Sequence, residues 1–168
     1  MSHHEEEQTA VQKTEGEKTV QNIDITIRNH VLGSMGVGLI PVPIVDLVAL
    51  TGVQINMLRK MAASYNIPFA QDKVKNILAA LIGATIPLAF ARAFASLLKI
   101  IPLVGQTTSA LTLPILAGAT TYAVGKVFEQ HFASGGTFLN FDPEKVKEYY
   151  EKMFKEGQDL AANLKKSE

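Results

Sequence analysis

The sequence contains no cysteine in 168 residues. Disulfide scaffolds, thiolate metal sites, cysteine nucleophiles and iron–sulfur clusters are all excluded. Charge is scarce too: 19% of residues are charged, against about 25% in an average soluble domain. The shortage is local. Between residues 29 and 127 the charged side chains are only Asp46, Arg59, Lys60, Asp72, Lys73, Lys75, Arg92, Lys99 and Lys126. A formal net charge of zero therefore conceals a strongly apolar middle between two charged tails. Residues 1–18 are rich in Gln, Thr and Glu and lack the basic start and apolar run of a secretory signal. Any entry into a membrane is expected from the cytoplasmic side, as part of the mature protein.

Catalytic motifs are equally scarce. There is no phosphate-binding GxxxxGK[ST] loop: Gly125 and Lys126 are followed by Val127. Gly33, Gly36 and Gly38 follow no strand, so they serve a dinucleotide fingerprint less well than they thin a helix for packing. His3 and His4 have no further ligand at metal-binding spacing, and His30 and His131 lie far apart at helix ends. With no nucleophile–base or acid–base constellation, the sequence predicts no enzyme, no catalytic residue, no cofactor, no metal and no nucleic-acid partner.

The apolar positions predict an all-α fold of about five helices. Val20, Ile23, Ile27 and Val31 recur at helical spacing. Pro41 and Pro43 then restrict their predecessors twice in succession and break the chain. A second helix is expected over 44–65, ending at Asn66 and Pro68, and a third from Gln71 to residue 98, kinked at Pro87. Pro102 and Gly105 mark the next break, and a fourth helix is expected over 106–132, kinked at Pro114 and stopped by Gly135 and Gly136. Asp142, Pro143 and Glu144 read as the start of a fifth. The stripe Val146, Tyr149, Met153, Leu160 and Leu164 makes this last helix amphipathic. The expected organisation is a disordered acidic tail over 1–18, two tandem proline-tipped hairpins over 19–136, and the amphipathic helix over 137–168.

Membrane insertion of the hairpins is expected on two grounds. Residues 100–125 carry no charge, and about 20 residues suffice to span the hydrocarbon. Small residues also recur four apart, as in Ala79/Gly83, Ala89/Ala93 and Ala117/Thr121/Gly125. Such spacing suits close helix association in lipid, which marks Gly83, Thr121 and Gly125 as packing residues. Arg28, Arg59, Lys60, Lys73, Lys75 and Lys126 fall at the hairpin bases, so both termini are expected in the cytoplasm.

Asp46 stands three residues past a hairpin tip, where an unpaired carboxylate is costly in lipid. It is expected to pair with Arg92 or Lys99, with Gln54 within about 80° on the same helix, to line a polar path, or to serve as a helix-start charge.

The run Ile40, Pro41, Val42, Pro43, Ile44, Val45, Asp46, followed by Gln54, Ile55, Asn56, Met57, Leu58 and Tyr65, resembles the YcjF-like domain of unknown function. The second half agrees, in Ile101, Pro102, Leu103, Val104 and Gly105 and in the run from Ala117 to Gly125. The resemblance covers residues 28–136. It implies a bacterial membrane domain associated with Era-like GTPases, here without a GTPase of its own. The combined expectation is a non-enzymatic inner-membrane scaffold or anchor that contacts lipid, self-associates and recruits a separate partner such as a GTPase. The alternatives are a pore-forming or membrane-remodelling protein and a soluble helical interaction domain.

Overall fold

The computed structural model describes the backbone of residues 3–39, 43–85 and 106–167, and side chains at 8, 9, 11–39, 48–83 and 113–167. Five α-helices and no strand are present among the described residues. They are α1 (His3–Val37), α2 (Pro43–Ser64), α3 (Gln71–Thr85), α4 (Gln106–Ala133) and α5 (Lys147–Lys166). The all-α expectation holds. Pro43 occupies the first position of α2, where a missing N–H costs nothing because first-turn donors have no helical partner. α4 runs continuously through Pro114.

Two helices stop by the same device. The Ile67 N–H donates to the Ala62 carbonyl at 2.8 Å and that of Asn66 to Ala63 at 3.2 Å, with Asn66 at φ 55. At the end of α4, Gly136 N–H donates to His131 at 2.8 Å and Gly135 N–H to Phe132 at 3.0 Å, with Gly135 at φ 84. Both are left-handed caps that satisfy otherwise orphaned carbonyls.

α4 is the central helix, packed against α1, α2 and α5. The core of α1 is the stripe Ile23, Ile27, Val31 and Met35, spaced one turn apart. α2 contributes Met57, Leu58 and Met61, α3 contributes Val74, Leu78 and Leu81, and α4 contributes Val124, Phe128 and Phe132. One end of the bundle is closed by aromatic rings. Phe128 stacks on Phe141 at 4.5 Å and 11°, and Phe132 meets Phe138 edge-on at 5.1 Å. Phe69, from the α2–α3 connection, meets Phe138 at 5.8 Å.

The opposite end is where α1 turns toward α2. A Cβ on Gly38 would stand 2.9 Å from the Pro114 Cα, so the turn lies against the backbone of α4. The end of α1 and the first turns of α4 therefore share this end of the bundle, and we call it the tip.

Three expectations need correction. Residues 3–18, expected to be disordered, continue α1 as helix, with every described side chain from Gln8 to Lys18 exposed. The packed part of α1 supplies the costly nucleus and extension then adds one hydrogen bond per residue. Helix α5 begins at Lys147 rather than at Pro143. Asp142 accepts the Glu144 N–H at 3.1 Å and closes a turn before the helix instead of capping it. The buried face of α5 is Tyr150, Met153, Gly157 and Ala161, with Val146, Tyr149 and Leu164 flanking it. It is rotated from the expected stripe because the small residues let α5 approach α4.

Candidate functional site

Three side chains that α1, α2 and α4 bring together form the most distinctive polar feature of the interior. Ser34 Oγ lies 2.7 Å from Thr121 Oγ1, and Gln54 Nε2 donates to the same Thr121 oxygen at 3.4 Å. All three residues are buried. Each sits on an otherwise apolar face, so the bonds satisfy groups that burial would otherwise leave costly.

A second link runs beside it. His30 Nδ1 lies 2.7 Å from the Thr26 carbonyl, and the Asn56 amide Nδ2 lies 3.3 Å from His30 Nε2. A carbonyl only accepts, so Nδ1 carries the proton and Nε2 accepts from Asn56. These contacts tie α1 to α2, with no geometry for nucleophilic attack.

Close backbone approach surrounds the cluster. A Cβ on Gly125 would stand 2.8 Å from Ile27 Cγ1, and one on Gly118 would stand 2.9 Å from Met35 Cγ and 3.2 Å from Ala161 Cβ. One on Gly157 would stand 2.9 Å from the Ala119 Cα. The small-residue face of α4 is thus filled by α1 and α5 of the same chain. Part of the uncharged stretch proposed to span lipid is spent on this packing, and no described helix is long and apolar enough to cross a membrane.

Toward the aromatic end, Lys126 Nζ lies 2.6 Å from Asp24 Oδ1 and 2.7 Å from Glu129 Oε2. Desolvation works against the ammonium, but hydrogen bonds to both carboxylates and their charges outweigh it and hold the Lys126 pKa above its ordinary value. Burial raises the hydroxyl pKa of Tyr65, Tyr122 and Tyr149, and the charge of Glu129 adds to the shift in each. The network staples α1 to α4 at that end.

Of the residues singled out from sequence, the fold joins Gln54 to Thr121 and places Gly125 beneath Ile27. Gly83 is exposed, with no atom of the described residues within 4 Å of its would-be Cβ. Asp46 lies in α2 and Pro43 opens it, but their side chains fall outside the described set. Pro41, Arg92, Lys99, Pro102 and Gly105 lie wholly outside the described residues, as do Pro87, Ala89 and Ala93. Ser34, His30, Asn56 and Gly157 were missed. A hydroxyl centred on the apolar face of α1, and a glycine inside an amphipathic helix, were the available signals.

No group of three metal-capable side chains exists among the described residues. An open groove of about 570 Å³ between α2 and α3 is floored by Val48, Gly52 and Ile55, with Arg59 and Lys75 on its rim. Arg59 donates to Gln71 Oε1 at 3.1 Å and lies 5.1 Å above the Phe69 ring.

Residues 1–159 match a family described as a domain of unknown function, DUF697. The chain is 35% identical over 140 residues to magnetosome membrane protein 22 of Magnetospirillum gryphiswaldense, covering 83% of this chain and 72% of that protein. No solved structure matches. The match reaches beyond both ends of the resemblance read at 28–136, and it takes in the acidic arm and most of α5. The chain belongs to the DUF697 family, the domain associated with YcjF and Era-like GTPases.

Proposed function

We propose that the chain is a non-enzymatic, membrane-associated module of a bacterial inner membrane, with the bundle on the cytoplasmic side and its tip toward the bilayer. The observation that carries this reading is the meeting of α1 and α4 at the tip. Gly38, just past the end of α1, lies on Pro114 of α4, and the chain enters α4 at that end. The preceding sequence, residues 86–105, has only Arg92 and Lys99 as charged residues. An apolar stretch that leads into the bundle at its tip suits an anchor. The similarity to a protein named as a membrane protein supports the same reading.

The module acts as a scaffold that self-associates and recruits a cytoplasmic partner such as a GTPase. With no phosphate loop in the chain, any nucleotide switch resides in that partner. The pore alternative gains nothing from Thr121 and Gln54, which close on each other in a packed interior. Washing native membranes at alkaline pH tests the reading against a soluble interaction domain. The protein should stay in the pellet; quantitative release would overturn membrane insertion.

A further inference from the structure

The neutrality of the chain hides a segregation of charge. Residues 1–18 hold Glu5, Glu6, Glu7, Glu15 and Glu17 against Lys13 and Lys18, a net −3. Residues 43–85, from the start of α2 to the end of α3, hold Arg59, Lys60, Lys73 and Lys75 against Asp46 and Asp72, a net +2. The acidic set lies on the arm of α1 that runs past the bundle, since the core stripe starts at Ile23. A helix of such length is marginal in water on its own, and Gly16 in its interior weakens it further. Val11 is exposed at its middle.

Two of these basic residues, Arg59 and Lys75, line the groove between α2 and α3. Its floor residues Val48, Gly52 and Ile55 fall on one helical face. Gly52 has no atom of the described residues within 4 Å of a would-be Cβ, so a second helix can come close to the α2 backbone. Among the described residues Lys75 has only a long contact to Asp72, at 3.9 Å between two exposed side chains, a pair of little worth. Lys75 is therefore available to a partner, whereas Arg59 would exchange its Gln71 bond for a carboxylate.

We propose that the acidic arm of one copy lies in the α2–α3 groove of a second copy. Val11 covers the Val48–Gly52–Ile55 floor, and arm glutamates face Arg59 and Lys75. The spacing agrees: Glu7 and Glu15 stand one turn to either side of Val11, as Arg59 stands one turn beyond Ile55. Within its own chain the arm continues α1 away from the bundle, so it reaches its own groove only if α1 breaks. Arm and groove are different surfaces, so the contact is heterologous and propagates from copy to copy. This inference rests on the self-association proposed above and supplies its contact.

The absence of cysteine makes the test clean. Full-length Gln8→Cys and Gln71→Cys variants are mixed under mild oxidation, and self-association is followed by analytical ultracentrifugation. A mixed disulfide should form well above either variant alone. Arg59→Glu with Lys75→Glu should abolish both the disulfide and the larger species. Mixing that variant with one carrying Glu7→Lys and Glu15→Lys should restore them. Unchanged helical circular dichroism in the charge variants controls for folding. Larger species that survive charge reversal without a mixed disulfide mean a different interface, which overturns this contact and leaves self-association standing. A monomer at every concentration overturns both. A disulfide confined to monomers of the Gln8→Cys/Gln71→Cys double variant means the arm folds onto its own groove, and also overturns the proposal.

Discussion

Ser34 Oγ and Thr121 Oγ1 meet at 2.7 Å in the buried interior, joining α1 to α4 across 87 residues of chain. Thr121→Val keeps the shape but strands both Ser34 and Gln54, and stranding a buried polar group costs about 1–3 kcal/mol. Ser34→Ala should cost less, because Gln54 still donates to Thr121. The double substitution should cost less than the sum. Denaturant unfolding of the four proteins in mild detergent checks this, and additivity would show that the two hydroxyls are not coupled.

Glycines at Gly157 and Gly83 should respond oppositely to alanine. At Gly157 the added Cβ meets the Ala119 Cα at 2.9 Å and its carbonyl oxygen at 3.0 Å. Backbone cannot swing aside as a side chain can, so Gly157→Ala should destabilise by about 1–3 kcal/mol. No described atom lies near Gly83, so Gly83→Ala should be neutral or stabilising by up to about 1 kcal/mol through helix propensity. Thermal melts decide; a larger loss at Gly83 would mean that its exposed face is covered in the assembled protein.

Stability should fall in alkali. Tyr65, Tyr122 and Tyr149 have pKa values raised from 10.0, and Lys126 is raised from 10.5. All four hold their protons more tightly folded than unfolded. Their contribution is therefore complete below those ordinary values and is lost as pH rises through the raised ones. Urea midpoints should be level from neutral pH to about pH 9 and drop beyond about pH 10. A flat profile across that range would contradict the assignment. Lys126→Met should blunt the drop while leaving Glu129, whose side chain is 16% exposed, without its partner.

The punctuation of the fold was legible and its rotations were not. Asn66, Gly135 and Pro43 announce helix ends through backbone chemistry that needs no partner, and all three do so here. Which face of α5 is buried depends on the shape of α4. The close approach of Gly157 to Ala119 turned the helix away from the face its largest apolar residues suggest. The Ser34–Thr121 bond was hidden for a similar reason, since two hydroxyls in distant helices carry no mutual signal until the helices pack. Small residues four apart in α4 lie against α1 and α5 of the same chain, and their spacing alone does not say which neighbour they meet.

The orientation of the bundle on the membrane is tested most directly by depth. Leu39 at the tip and Leu139 near the aromatic end are both well exposed, at 64% and 80%, so each accepts a reporter without disturbing the core. A polarity-sensitive fluorophore on a Leu39→Cys variant, reconstituted in lipid vesicles, should shift to the blue and be quenched by brominated lipid. The same fluorophore on Leu139→Cys should remain water-like and unquenched. Quenching at Leu139 but not at Leu39, or water-like emission from both, would contradict a bundle that meets the bilayer with its tip.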